Sequence, residues 1–451
     1  MTEQKINAEI VVADGAGGMR PVVNLRFEEG EWPIQFDVPA DDAEAWMAHF
    51  DAEIQERGWA RDGISQMEAT ENSGTCSVRA ATGQSPPTLH LVWKKSRNDA
   101  LRVKARLDGV PVFPSDLARE FIGAVSGRVQ KKVKDRAHRA QFLAYRGLPW
   151  RGELWLGNDI RLGPPSQFPP ALMGPQVIIL NAMVEGIGAK GIAANFGALV
   201  RELRIFFAVT RGSPVTPVQL TQGWVTQFDE QLRFVSCTLQ QVGYSEDWNG
   251  PPRTFPVKGD WPLVPHEAVT RPGLGRSGIW PDMTEQWVPA DIEELWQAFV
   301  ALPFDKRENF LRAGNAFSIT HSMWPDQKTA YAAMLVVACE ALKPPGKRFK
   351  GMNIYDVVAS LIGKRKAARL RELTIHPQDV RSGYVHRGEL AAGELVPMFL
   401  FDEFADPSFD GMLQELYEAC RICLIEWLRC AGQYEVVWLT RPGSADSQQD
   451  P

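Results

Sequence analysis

The spacing of apolar residues changes along the chain, and no single layer architecture suits both parts. In residues 6–12, 22–27, 76–80, 89–93 and 101–107, apolar and β-branched side chains recur near every second position, the period of strands. From Val288 onward the period lengthens to that of helices, over 291–302, 306–322, 327–342, 356–386 with interruptions, and 410–430. Two more helices are predicted among the strands. One covers 41–57, introduced by Pro39 with acids in its first turn, and the other covers 115–143 with Ser115 as N-cap. The expected fold class is multidomain α+β, a mixed helix and strand region followed by an all-α helical bundle.

At 451 residues the chain exceeds the size at which one core keeps growing, so it divides. The expected division is an α+β domain over 1–150, a loop- and strand-rich region over 151–290, the bundle over 291–440, and a polar, disordered tail over 441–451. Within the second region, 224–228 and 232–239 are strand-like, and 249–282 is dense in Pro and Gly and predicts an extended connection.

Charge and composition remove several classes of function. With 44% hydrophobic and 23% charged residues the chain can bury a core, which excludes a mostly disordered protein. A net charge of −6 excludes a uniformly basic nucleic-acid binder, so any phosphate contact must come from a local cluster. The first fifteen residues carry no basic patch followed by an apolar run, and the apolar runs 177–180 and 332–338 are far shorter than the roughly 18 residues of a membrane span. The expectation is a cytoplasmic protein that contacts no membrane.

Two motifs read as packing rather than chemistry. Cys420 and Cys423 form C-x-x-C, but on a continuously helical segment with no second ligand pair, so small core side chains are expected instead of a metal or redox site. Gly186, Gly188 and Gly191 spell G-x-G-x-x-G between an apolar run and a helix-like segment. A dinucleotide site would also want a carboxylate about 20 residues on, yet no Asp or Glu lies between Arg204 and Gln227.

The segment RELTIHPQDVRSGYVHRGEL has the residues for metal-free cleavage of RNA. Arg381 and His386, with four residues between them, stand near the end of a predicted helix. Histidine titrates near neutrality and can take the proton of a ribose 2′-hydroxyl or give one to the leaving 5′-oxygen. Arginine keeps its charge, and its planar fork can clamp a phosphate and stabilise the charge of the transition state. Attack by the 2′-hydroxyl leaves a 2′,3′-cyclic phosphate and a 5′-hydroxyl. Residues five apart on a helix are turned by about 140° and separated by about 7.5 Å, so the two do not share a face. Ser382 and Gly383 could loosen that turn.

This pair, its V-H-R-G ending and the apolar helix AYAAMLVVACEAL before it resemble the HEPN family, in its ApeA-like branch. The similarity covers about 288–432, with a fainter one over 198–217. It implies that Arg381 and His386 sit on the third bundle helix, which Gly388 ends in a left-handed conformation. It further implies an endoribonuclease without a cofactor or metal, acting on tRNA or mRNA in antiviral defence or as a toxin. A homodimer formed through the bundle is implied too, with the N-terminal region restraining the nuclease or sensing a phage-derived or host trigger. Many members carry Asn or Asp after the arginine; here Ser382 offers a hydroxyl in that place.

Around the pair, Glu340, Ser382 and Tyr384 are the expected supporting residues. Lys347, Arg348, Lys350, Lys364, Arg365, Lys366, Arg369 and Arg371 are the expected RNA contacts, with Asp356 the one acid between Lys343 and Arg371. Phe349 could stack on a base or pack in the core. A second basic run, 128–139, is predicted to lie on a helix as a solvated face, or else to touch nucleic acid or an acidic partner. The competing reading is a catalytically silent module of the same class that binds RNA or a protein partner.

Overall fold

The computed structural model describes residues 6–13, 19–27, 34–61, 73–79, 88–95, 101–108, 115–150, 152–164, 176–218, 221–231, 233–242, 254–258, 270–271, 287–323, 326–391 and 407–439. The tail 441–451 and most of the connection 249–282 lie outside them. The fold is multidomain α+β, in two compact units: Met1–Ala137 with Val184–Gly197, and His138–Met183 with Ala198–Pro451.

The first unit is built on an antiparallel sheet of seven strands in the order β1-β2-β3-β7-β6-β5-β4. They are β1 (Ile6–Ala13), β2 (Met19–Phe27), β3 (Ile34–Val38), β4 (Ala60–Arg61), β5 (Ser73–Arg79), β6 (Thr88–Lys95) and β7 (Leu101–Asp108). Alternation places Leu89, Leu91 and Trp93 of β6 and Leu101, Val103 and Ala105 of β7 on one buried face. Two helices cover that face, α1 (Ala43–Glu56) through Trp46, Phe50 and Ile54, and α2 (Ser115–Gln130) through Phe121, Ile122, Val125 and Val129. The i, i+4 spacing of both sets makes one apolar stripe per helix. Trp46 Nε1 donates to Ser126 Oγ at 3.2 Å, which satisfies the polar edge of an otherwise buried ring.

The expected helix over 115–143 is corrected. Helix α2 stops at Gln130, Lys132 takes a left-handed φ of 49°, and Asp135–Tyr145 forms strand β8. Sheet pairing decides this stretch, since Leu143 and Ala144 meet Pro217 and Thr216 of β12 (Thr216–Pro217), far away in sequence. The basic run 128–139 therefore spans a helix end, a turn and a strand, not one helix face. Its Arg128 is spent on Glu56, whose carboxyl that hydrogen bond holds below the usual range.

The G-x-G-x-x-G glycines make a tight strand-to-helix turn. A Cβ on Gly186 would come within 2.5 Å of the Ile192 backbone, and one on Gly188, at φ 61°, within 2.7 Å of Ala52. The Gly188 N–H at the start of α3 (Gly188–Arg211) donates to Asp135 Oδ2 at 3.0 Å. A carboxylate already holds the place a phosphate would take.

The second unit holds a five-stranded sheet in the order β12-β8-β11-β10-β9, with β9 (Leu154–Leu156), β10 (Ile160–Gly163) and β11 (Gln176–Gly186). Strand β11 is central and nearly continuously buried, as the VIIL run demands. A separate hairpin pairs β13 (Thr221–Phe228) with β14 (Phe234–Val242).

The bundle comprises α4 (Ile292–Val300), α5 (Phe304–Met323), α6 (Lys328–Glu340), α7 (Ile354–Leu361), α8 (Lys364–Arg371), α9 (Pro377–Arg387) and α10 (Pro407–Arg429). Nine of the thirteen residues of α6 are buried, so it is apolar all round and lies inside, against α5, α7, α9 and α10. Helix α10 packs on α4 to α8. Cys420 and Cys423 are core residues here, joined by Cys339 of α6, and all three are fully buried thiols.

Side chains from the bundle satisfy the end of α3. The last carbonyls of a helix have no partner within it. Arg421 Nε donates to Val209 O at 2.8 Å and its Nη2 to Thr210 O, while Tyr417 Oη donates to Gly212 O at 2.6 Å. The His321 ring lies between Phe317 and Tyr417, with Nε2 3.3 Å from Gly212 O and Nδ1 3.3 Å from Ser318 O.

Burial lowers the pKa of His321 to about 4, with Arg211 adding to the effect. A folded pKa below the unfolded value of about 6.5 means that the stability tied to the neutral ring is present above pH 6.5 and is lost as pH falls toward 4. Between pH 7.5 and 5 the loss from this ring is at most about 2 kcal/mol, because part of its surface still meets water. His321→Gln should flatten that part of the acid slope in urea titrations; an unchanged slope would remove His321 as its source.

Candidate active site

Helix α9 carries both residues of the candidate pair. Its start is fixed by Pro377 at the first turn, preceded by His376 in an extended conformation. It buries Pro377, Val380 and Gly383, a narrow stripe that lies on α6. Its end is set by Gly388 at φ 67°, with the Gly388 N–H donating to Tyr384 O at 3.0 Å and the Glu389 N–H to Gly383 O at 3.2 Å. The helix is continuous through Ser382 and Gly383, so the loosened turn considered for that place is absent. Arg381 and His386 keep their separation of about 140° around the axis.

Arg381 is half-buried. Its Nη2 lies 3.5 Å from Glu340 Oε2, and its Nε is buried with no hydrogen-bond partner among the described residues. Glu340 ends α6 and is shared with Lys343, whose Nζ is 3.2 Å away. The long, shared ion pair holds the guanidinium in place without using up its donors. Arg421, by contrast, is wholly buried and donates to two backbone carbonyls. His386 is exposed in the last turn, next to Val385 at 52% exposure, and Arg387 closes a double ion pair with Glu389. Ser382 and Tyr384 are half-buried on the same helix.

The basic cluster divides in two. Lys366 Nζ pairs with Glu415 at 2.9 Å and Glu418 at 3.3 Å, Arg369 pairs with Glu415, and Arg371 lies 5.1 Å over the Tyr355 ring. These three brace α8. Lys347, Arg348, Lys350, Lys364 and Arg365 are exposed, with no ion pair to a described residue. Asp356, the acid within the run, is buried and caps α7: its Oδ2 accepts from Asn353 N at 3.0 Å and its Oδ1 from Leu439 N at 3.0 Å. It leaves the exposed cations uncompensated. Phe349 is buried, with the Arg348 guanidinium 4.4 Å over its ring.

Among the described residues no group of three or more His, Cys, Asp or Glu could hold a metal ion, and no helix is long and apolar enough to cross a membrane. No family model, no curated protein and no solved structure matches the chain.

Proposed function

We propose that the bundle is a HEPN-class endoribonuclease that needs no metal, with His386 as the proton-transfer group and Arg381 as the phosphate clamp. The observation that carries this reading is the state of Arg381: oriented by Glu340, half-buried, and with a buried donor left open. A guanidinium held by one long ion pair on the helix that also carries a histidine keeps donors that a phosphate can take. His386, about one and a half turns on, is exposed and open to a substrate.

The angle between the two residues argues for a composite cleft, in which two copies of α9 face each other in a homodimer. RNA, as tRNA or mRNA, is the substrate, the setting is cytoplasmic defence or toxin action, and the N-terminal region, residues 1 to about 290, serves as sensor or restraint. The test is cleavage by the full chain and by the variants His386→Ala and Arg381→Ala, in EDTA. Ser382 keeps the second reading in view, a silent RNA- or partner-binding module, for which all three proteins would leave RNA intact.

A further inference from the structure

Beside the bundle is a cleft of about 710 Å³ to which neither catalytic role assigns a purpose. Its walls are residues 344–349, which follow α6, and 432–438, which follow α10. The volume is within the range of small-ligand sites, about 300–1,000 Å³.

The second wall is held firmly. Ala431 at φ 49° and Gly432 at φ 65° turn the chain out of α10, and a Cβ on Gly432 would come within 2.4 Å of the Trp427 ring. The segment is then fastened to α7, where Val437 N donates to Ser360 Oγ at 2.9 Å and Leu439 N to Asp356 Oδ1 at 3.0 Å. Tyr434 Oη donates to Leu342 O at 2.8 Å. Between the two fastened residues Trp438 lines the cleft at 51% exposure. A large aromatic on pinned backbone loses little entropy when something stacks on it.

The chemistry of the walls selects the occupant. Trp438, Tyr434 and Phe349 supply aromatic surface, and Arg348 holds its planar guanidinium over Phe349 while also lining the cleft. Gln433 and Glu435 add amide and carboxylate groups. Aromatic faces and a flat guanidinium suit the face of a base, and amide and carboxylate suit its edge. The exposed Lys347 and Lys350 beside Arg348 would draw the phosphates of the same strand.

We propose that this cleft binds an unpaired nucleobase of an RNA strand, with Trp438 as the stacking platform. The proposal rests on the ribonuclease reading for the strand's identity and makes residues 344–350 and 432–438 the part of the chain that grips substrate outside the cut.

The probe is a fluorescein-labelled dodecamer of 2′-O-methyl RNA, which cannot be cut by its own 2′-oxygen, titrated with the full chain and followed by anisotropy. Trp438→Ala should weaken binding about tenfold, and Trp438→Phe should recover most of it. Adenosine monophosphate at millimolar concentration should displace the probe, whereas ribose 5-phosphate should not. Unchanged affinity in Trp438→Ala, no binding by the native chain, or displacement by a polyproline peptide in place of the nucleotide would each overturn the proposal. Because the probe reports binding alone, cleavage lost in His386→Ala with Trp438→Ala binding normally would sink the cleft and leave the nuclease standing. The opposite pattern would do the reverse.

Discussion

His386→Ala is expected to lower RNA cleavage by about a hundredfold or more while leaving the fold intact, since a positioned acid or base contributes about 10²–10⁴ in rate. The side chain is exposed in the last turn of α9 and has no hydrogen-bond partner among the described residues, and alanine is a good helix former. Loss of rate with an unchanged melting curve therefore reports chemistry. Arg381→Ala should match it in rate, because no other described cation pairs with Glu340 except Lys343, which is one turn from it on the chain. Glu340→Gln should do less damage, since the amide still holds the guanidinium by hydrogen bonding but no longer by charge. Wild-type cleavage by His386→Ala would remove the assignment.

Arg421→Met should cost about 3–4 kcal/mol of stability, read as a lower midpoint in urea with cleavage per folded molecule unchanged. Methionine fills similar space, so little cavity forms. The loss comes from the carbonyls of Val209 and Thr210, which would be left buried at the negative end of α3 without their charged donor. The same contacts bear on truncation. Residues 198–217 lie in the compact unit that also holds the bundle, so a fragment beginning at 288 would lose the α3 carbonyls that Arg421 and Tyr417 serve. An Arg421→Met protein as stable as the native chain would show that these bonds only replace those made to water in the unfolded state.

The parts of the fold that were legible are those where local period and burial agree. Strand β6 alternates between core and solvent, and α1 repeats its aromatics at helical spacing, so both could be read from a few residues. The stretch after Gln130 could not. Its residues suit a helix as well as a strand, and the choice was made by the sheet, in which β8 lies between β11 and β12 and Ala144 meets Thr216, 72 residues away. The capping of α3 by Arg421 joins positions 212 residues apart, and neither end carries a local mark of it. At the candidate site the pair was legible because Arg381 and His386 lie on one helix. The division of the basic cluster was not, because Glu415 and Glu418 come from α10. The placing of Trp438 was not legible either, because the bonds that pin its neighbours Val437 and Leu439 run to Ser360 and Asp356 of α7, far away in sequence.

The most direct measurement of the central claim uses one RNA oligonucleotide, in EDTA, compared with the same strand carrying a single deoxyribose at the cut position. The native chain should cut the first and leave a 2′,3′-cyclic phosphate and a 5′-hydroxyl, because the ribose supplies the nucleophile, His386 the proton transfer and Arg381 the clamp. The second should stay whole at that position. Cleavage of the deoxyribose strand at the native rate, or equal cleavage of DNA of the same sequence, would contradict the account.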